Sequence, residues 1–182
     1  LPWHSIHLFW VDERCVPHTE EASNFGRAYQ DFLKVVSIPP NHIHPMPTKE
    51  GSEHAASAYE TEIRNTVSLN PNGMPAFDLA FLGVGQDGHT ASLFPQDPAL
   101  KEDTRWVLPV HGGTPYTYRY TMTLPVLNSV NHVVFLVSGI DKAGVVKRIL
   151  ESAPSMSLPA QRVRPATGKV TWLLDRAAAS RL

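Results

Sequence analysis

One segment of the sequence combines a glycine-rich turn with a side chain that can exchange a proton. It spans residues 83 to 95 and includes Gly85, Asp87, Gly88 and His89. Glycines let a backbone turn sharply and approach a ligand closely. Because a histidine can accept a proton near neutral pH, His89 is a candidate general base. If the turn opens towards a helix start, its free N–H groups also favour an anion.

Two other interpretations of this turn have to be weighed. For His89 alone, a surface histidine on a tight turn is the alternative, and the neighbouring glycines and Asp87 favour the functional interpretation. The segment also matches G-x-G-x-x-G, the dinucleotide pattern. A dinucleotide site requires a long helix directly after the turn, and Pro95 limits a helix there to about one turn. The sequence therefore predicts no dinucleotide-binding site, and no requirement for a cofactor of any other kind.

Three cationic side chains are candidates for binding an anionic substrate. Arg14 lies just past a predicted strand, where Asp12 or Glu13 would either orient it or form a solvated ion pair with it. Arg119 lies among tyrosines, and it would stack on a ring or bind phosphate. Lys142 lies in the first turn of a predicted helix, where the helix dipole disfavours a cation by about 0.3–1 kcal/mol. A bound phosphate would reverse that cost, whereas a surface lysine would tolerate it.

The histidines and the cysteine do not form recognisable metal or nucleophile motifs. There are nine histidines and no H-E-x-x-H motif. His42 and His44 lie in a proline-rich loop without a nearby cysteine or acidic cluster, so no metal site is predicted. Cys15 has no local signature of a nucleophile and is interpreted as a packing residue.

Length and charge exclude several classes of protein. The 182 residues suit one α/β domain over residues 1–182. Sixteen basic and 17 acidic residues give a net charge of −1, so no global field attracts nucleic acid or anionic lipid. A single cysteine excludes an intrachain disulfide and fits a reducing compartment such as the cytoplasm. No apolar run approaches the roughly 20 residues that span a bilayer.

Apolar patterning predicts alternating strands and helices. Strands are predicted at 6–11, 77–82, 106–110, 118–124, 132–137 and 170–174. Helices are predicted at 22–36 with Ser23 or Asn24 as cap, at 52–69, from Asp141 to about residue 152, and in the alanine-rich end. This order favours a mostly parallel, doubly wound sheet covered on both faces. Ligands bind beyond the carboxyl ends of such strands, where segments 12–17, 83–94 and 139–143 are expected to meet.

These segments resemble the 6-phosphogluconolactonase family. The matching stretches are 12–17 with Ser23-Asn24, 77–95, 119–128, 139–143 and 168–175, of which Asp87 to Pro95 is highly specific. The resemblance implies a three-layer α/β/α sandwich shared with glucosamine-6-phosphate deaminases. It implies His89 as general base, Arg119 and Lys142 as phosphate ligands, and Arg14 as a residue lining the site. Asp87, Gly85 and Gly88 belong to the same motif.

One departure from the family concerns its beginning. The family starts with a strand and a Gly-Gly-Ser-Thr-Pro type loop that cradles phosphate. That loop has no counterpart in this sequence, so the domain is expected to be incomplete at its N-terminus.

The implied reaction is hydrolysis of 6-phosphoglucono-1,5-lactone in the oxidative pentose phosphate pathway. Neutral His89 would activate water, and backbone N–H groups of the glycine turn are candidate oxyanion donors. Two alternatives stay open: a glucosamine-6-phosphate deaminase or isomerase, and a non-catalytic sugar-phosphate-binding module. Such deaminases carry an acidic residue shortly after the Asp-Gly-His segment, whereas the next acidic residue here after Asp87 is Asp97.

The partner implied by the resemblance is a small sugar phosphate, with no nucleic acid and no membrane. Related lactonase domains occur fused to a glucose-6-phosphate dehydrogenase. A fused or coupled protein is therefore a further expectation, and in that case the endoplasmic reticulum lumen replaces the cytoplasm as the location.

Overall fold

Short strands and helices follow one another along the chain, but the alternation that the sequence predicts is broken at residues 79–122, which hold three strands with no α-helix between them. The computed structural model describes residues 1–48, 53–151 and 158–182. The strands are β1 (Leu8–Phe9), β2 (Asp12–Arg14), β3 (Ile43–His44), β4 (Leu79–Leu82), β5 (Val107–His111), β6 (Tyr118–Met122), β7 (His132–Val137) and β8 (Lys169–Leu174). The α-helices are α1 (Asn24–Asp31), α2 (Glu53–Thr66), α3 (Leu124–Leu127) and α4 (Ala143–Glu151), with a 3-10 turn at Ile140–Lys142.

The strands form two parallel units and one antiparallel unit. β7 lies between β4 and β8 in a parallel sheet, and β1 pairs in parallel with β3. β6 lies between β2 and β5 in an antiparallel sheet. The α/β class with mostly parallel strands is confirmed. The antiparallel sheet differs from the sequence prediction, because residues 12–14 pair with β6 as a strand instead of ending one.

One cluster of buried apolar side chains joins the sheets to the helices. Phe135 of β7 is fully buried and stacks on Trp172 of β8, with ring centroids 4.1 Å apart. Helix α2 buries Ala55, Tyr59 and Ile63 at the helical spacing that the sequence predicts. Burial of each large side chain contributes on the order of 1.5–3 kcal/mol, so this cluster holds the strand ends in place.

Strand β4 is half exposed, which contradicts the prediction of a buried strand at 77–82. Ala80 and Leu82 are buried, whereas Leu79 and Phe81 are 47% and 57% exposed. An apolar groove of about 950 Å³ is lined by β4 together with residues 5–12, and the residues of the glycine turn do not line it. An apolar run does not distinguish a strand with two covered faces from one whose second face is open, so the sequence alone could not reveal this difference.

Two predicted helices differ from those observed. The Ser23 cap is confirmed, because its Oγ accepts the Gly26 N–H at 3.0 Å, but α1 ends at residue 31. The sequence places Phe25, Tyr29 and Leu33 at helical spacing on one face, but Tyr29 is 45% exposed and Leu33 alone of these three is buried. The alanine-rich end forms turns instead of a helix. There the Asp175 carboxylate accepts the N–H groups of residues 139 and 178, which favours a turn.

Three histidines cluster where β1 and β3 begin. His7 Nδ1 lies 2.9 Å from His44 Nε2, and His44 Nδ1 lies 2.7 Å from Glu62 Oε1. The His7 ring also stacks on His42, with centroids 3.9 Å apart. Since the Glu62 carboxylate only accepts, His44 donates from Nδ1 and accepts the His7 Nδ1–H at Nε2. Desolvation, and then the charges of His42 and His44, lower the pKa of His7.

This cluster is expected to make the stability of the protein depend on pH. Because the folded pKa of His7 lies below its ordinary value of 6.5, the unfolded chain binds more protons as the pH falls below that value. The His7 contribution is present above pH 6.5 and is lost as the pH falls towards the folded pKa. We expect the melting temperature to fall between about pH 7 and about pH 5, and to fall less in His7→Asn, whose amide keeps a donor. A fall of the same size in His7→Asn and in the exposed control His54→Asn would contradict this.

Candidate active site

Two loops and strand β2 are tied together by side-chain hydrogen bonds. Gln86, in the turn after β4, donates through Nε2 to Asp141 Oδ2, after β7, at 2.9 Å. Ser92 donates through Oγ to Asp12 Oδ2 in β2 at 2.6 Å. The three segments that the sequence places at the strand ends therefore meet.

The two glycines of the turn leave the space that neighbouring side chains occupy. A Cβ at Gly85 would lie 2.1 Å from His89 Nδ1 and 2.7 Å from Asp87 Oδ1. Gly88 has a φ of +89°, and its Cβ would lie 2.9 Å from the Leu158 side chain. Any side chain at Gly85 would displace the His89 ring, and at Gly88 it would also strain the backbone.

The backbone N–H groups of the turn are used within it. Gly85 donates to His89 O and Gly88 donates to Gly85 O, both at 2.9 Å, and the His89 N–H donates to Asp87 Oδ1 at 3.1 Å. No helix follows, because residues 90–97 form turns in which Ala91 has a φ of +50°. The predicted anion site at a helix start is therefore wrong for this turn. The amides of these three residues are not free to act as oxyanion donors.

His89 and Asp87 form a hydrogen-bonded pair. His89 Nδ1 lies 2.7 Å from Asp87 Oδ1, and the His89 side chain is 31% exposed. Desolvation raises the pKa of Asp87, but the His89 backbone N–H and the His89 ring outweigh it, and the net pKa lies below its ordinary value. Asp87 is thus an ionised acceptor, which places the imidazole proton on Nδ1. His89 Nε2 then carries the lone pair that a general base needs.

Arg14 and Arg119 lie directly opposite each other in the antiparallel sheet. They are register partners in β2 and β6. Like charges in this position destabilise a sheet unless an anion offsets them. Desolvation and the charge of Arg14 lower the pKa of Arg119, whereas Asp12 and Glu13 raise it. Asp12 and Glu13 thus offset the like charges in part, and a bound anion would offset them further.

The two arginines are held by different groups. Arg14 donates through Nη1 to Ala22 O at 2.8 Å and to Asn24 Oδ1 at 2.7 Å. Its Nε is buried and has no hydrogen-bond partner among the described residues. Arg119 donates through Nε to Gly112 O and Tyr116 O, both at 3.0 Å. The 112–118 loop thus fixes the base of the guanidinium of Arg119.

Lys142 lies at the end of the 3-10 turn, one residue before α4 begins. Its Nζ is 3.8 Å from Asp141 Oδ2, and the same carboxylate group accepts from Gln86. Asp141 therefore links two loops, and the helix predicted from Asp141 begins at Ala143 instead. Gly139, with a φ of +100°, begins this turn, and its N–H donates to Asp175 Oδ2 at 3.0 Å. Lys142 is placed on the same tied loops as His89.

Sequence reasoning assigned no firm role to Glu13, which the structure buries completely. Its two oxygens accept the N–H groups of Arg14, Asn24 and Phe25 and the Ser23 hydroxyl, at 2.7–3.0 Å. It therefore fixes the start of α1 against β2. Strand alternation with Asp12 and Arg14 was the available signal, because it places residue 13 on the opposite face.

We expect Glu13→Gln to lower the free energy of unfolding by roughly 1–3 kcal/mol, the cost of unpaired buried donors. An amide keeps one accepting oxygen, so the donors that bond the other oxygen lose their partner. Chemical denaturation measures the change, with Glu21→Gln as control, since the Glu21 side chain is 93% exposed. Equal stability of the two variants would contradict this role.

The described residues include neither a metal-binding cluster nor a helix that could span a membrane. Within residues 1–48, 53–151 and 158–182, no group of three or more His, Cys, Asp or Glu side chains is placed to hold a metal ion. Over those ranges, no helix is long and apolar enough to cross a membrane.

The sequence is similar to known proteins over nearly its whole length. A family described as "Glucosamine-6-phosphate isomerases/6-phosphogluconolactonase" matches residues 1–172. A 6-phosphogluconolactonase of Synechocystis is 41% identical over 184 residues, covering 100% of this chain and 75% of that protein. The chloroplastic 6-phosphogluconolactonase 3 of Arabidopsis thaliana is 39% identical, covering 100% of this chain and 58% of that protein. The chain therefore spans between about three fifths and three quarters of the length of these relatives.

The fold is also found in solved structures. The 6-phosphogluconolactonase of Thermotoga maritima superposes with a TM-score of 0.82 at 34% identity, covering 96% of this chain and 75% of that one. A structure described as devB protein reaches a TM-score of 0.91 at 30% identity, covering 99% and 75% of the two chains. This chain therefore belongs to the glucosamine-6-phosphate isomerase/6-phosphogluconolactonase family.

Proposed function

We propose that the protein hydrolyses 6-phosphoglucono-1,5-lactone to 6-phosphogluconate, a step of the oxidative pentose phosphate pathway. The observation that carries this proposal is the Asp87–His89 pair, held on a turn whose following residues reach Arg119. Hydrolysis of a phosphorylated lactone requires two features, which are a general base and a set of cationic side chains that bind the phosphate. The relatives named as 6-phosphogluconolactonases support the same substrate.

The base works through the free nitrogen of His89. Asp87 holds the proton on Nδ1, so Nε2 accepts a proton from water while the water oxygen attacks the C1 carbonyl of the lactone. Asp87 then stabilises the imidazolium that forms. When the tetrahedral intermediate collapses, the C1–ring oxygen bond breaks, and the imidazolium returns the proton to that oxygen. The products are a carboxylic acid and a hydroxyl group, and His89 is neutral again.

The cations act at a distance from this chemistry. Arg119, Arg14 and Lys142 are proposed to hold the 6-phosphate group, with Gly85 and Gly88 shaping the turn against the sugar. Phosphate lies far from the bond that breaks, so its binding energy orients the carbonyl towards His89. The oxyanion would be stabilised by donors other than the amides of Gly85, Gly88 and His89, because those amides already bond within the turn.

We further propose that the protein works in the cytoplasm and acts downstream of an enzyme that forms the lactone by oxidising a sugar phosphate. A direct association or fusion with a glucose-6-phosphate dehydrogenase would deliver the lactone before it opens in water. Co-expression of the two proteins and measurement of the overall flux would test this coupling.

The function is tested by comparing three substrates with the same protein. Proton release from fresh 6-phosphoglucono-1,5-lactone is followed with a pH indicator, after subtraction of spontaneous opening. The same assay with glucono-1,5-lactone tests the need for phosphate, and ammonia release from glucosamine 6-phosphate tests the deaminase alternative. We expect acceleration with the phosphorylated lactone and no ammonia. Ammonia release would support the deaminase, and binding without turnover of either substrate would support a sugar-phosphate-binding module.

A further inference from the structure

Phe94 lies beside both functional parts of the site. Its ring centroid is 4.8 Å from that of His89, and the Arg119 Cζ atom lies 5.7 Å from the same Phe94 ring centroid. His89 is the proposed base and Arg119 a proposed phosphate ligand. One aromatic ring therefore contacts the group that acts on the carbonyl and a group that holds the far end of the substrate.

The ring has little freedom to move away from Arg119. A Cβ at Gly112 would lie 2.6 Å from Phe94 Cδ2, and one at Gly113 would lie 3.1 Å from Phe94 Cζ and 2.8 Å from Arg119 Nη2. The backbone of the 112–118 loop thus packs directly against the ring, and the same loop accepts the Arg119 Nε–H. Phe94, the loop and Arg119 form one packed unit.

The backbone before Phe94 is equally constrained. The Ser92 N–H donates to Thr121 Oγ1 at 3.2 Å, and Leu93 is fully buried. Ala91 adopts the left-handed region, which places a tight turn immediately before this anchored stretch. A rigid ring on an anchored backbone can set the position of a neighbouring side chain more firmly than a flexible one.

We propose that Phe94 is a positioning residue that fixes His89 relative to Arg119, so that phosphate binding is converted into alignment of the lactone carbonyl. This inference rests on the proposed function. Remote binding energy accelerates a reaction only if the distant contact and the reacting group keep a fixed geometry. A displacement of about 1 Å can cost on the order of 100-fold in rate. Phe94 should therefore matter more for a phosphorylated substrate than for one without phosphate.

The experiment compares kcat/KM of Phe94→Leu on two lactones, with and without the 6-phosphate. We expect a loss of about 10- to 100-fold with 6-phosphoglucono-1,5-lactone and a loss several times smaller with glucono-1,5-lactone. Phe94→Tyr, which keeps the ring, should recover most of the lost activity. Phe32→Leu is the matched control, because that ring contacts Trp3 and is 36% exposed.

A second variant displaces the Phe94 ring while Phe94 itself is kept. Gly112→Ala would place its methyl group against Phe94, so the ring must shift. It should reproduce the selective loss on the phosphorylated lactone. In a protein that already carries Arg119→Ala, Phe94→Leu should lower kcat/KM equally for the two lactones. The Arg119 side chain, whose position Phe94 is proposed to couple to His89, is then absent. Thermal unfolding of each variant checks that the protein is folded.

Equal losses on the two lactones in folded Phe94→Leu would overturn the proposal, since Phe94 would then only support His89. Additive effects of Phe94→Leu and Arg119→Ala would overturn it as well. If the wild-type protein hydrolyses neither lactone, the proposed function fails. The effect of Phe94 on His89 is then tested by NMR of the His89 ring. In that case the His89 ring signals should move when the Phe94 ring is removed, and unchanged signals would overturn the inference.

Discussion

His89→Ala is expected to lower turnover of 6-phosphoglucono-1,5-lactone by at least about 100-fold, the lower end of general-base catalysis. The structure supplies the reason, because Asp87 fixes the imidazole proton on Nδ1 and leaves Nε2 to accept a proton from water. Since His89 is proposed to act on water and not on phosphate, affinity for 6-phosphogluconate should change little. Proton release and calorimetry measure the two quantities separately.

The control for this experiment is His54→Ala, which removes an exposed histidine on α2. Its turnover should equal that of the unchanged protein. Because the lactone opens by itself in water, the uncatalysed rate is subtracted from each measurement. Turnover of His89→Ala within threefold of the unchanged protein, which is about 0.65 kcal/mol in the barrier, would exclude His89 as the base.

Arg119→Ala and Lys142→Ala are expected to weaken binding of 6-phosphogluconate, each by on the order of 1–3 kcal/mol. Arg119 faces Arg14 across the sheet, and a bound anion would offset these like charges. Lys142 lies on a turn that Gln86 and Asp141 tie to the loop of His89. We propose that the two side chains bind one phosphate group, and their losses should be close to additive if they bind it independently.

Calorimetry with 6-phosphogluconate measures these losses at fixed ionic strength, because salt screens exposed charges. Arg27→Ala and Lys147→Ala are matched controls, since both side chains are exposed and pair with acidic residues on their own helices. Affinity equal to that of the controls would return Arg119 and Lys142 to ordinary surface and structural roles. A loss for Arg119→Ala alone would place the phosphate at the arginine pair and away from Lys142.

Much of the fold could be predicted from local patterns. The sequence predicts β7 with its observed bounds, because five consecutive apolar residues follow His132. Helix α2 was predicted from the spacing of Ala55, Tyr59 and Ile63. The burial of the apolar residues of α1 could not be predicted, because helical spacing reveals which residues share a face but not whether anything covers that face. The helix predicted at the alanine-rich end does not form. The Asp175 carboxylate accepts backbone N–H groups there, and this favours a turn.

The residues that could take part in catalysis or binding were evident in the sequence, because their types and spacing are local properties. Asp87, Gly88 and His89 are neighbours in the chain, so the sequence alone placed a base beside a carboxylate on a sharp turn. It also offered Arg14, Arg119 and Lys142 as cations, and the expected strand order brought only the segments of Arg14 and Lys142 to the glycine turn. Only the tertiary structure decided that Arg14 opposes Arg119, that Glu13 is fully buried and that the Phe94 ring lies near both Arg119 and His89. These relations depend on strand register and on contacts between distant segments, and residue type and local periodicity do not encode either of them.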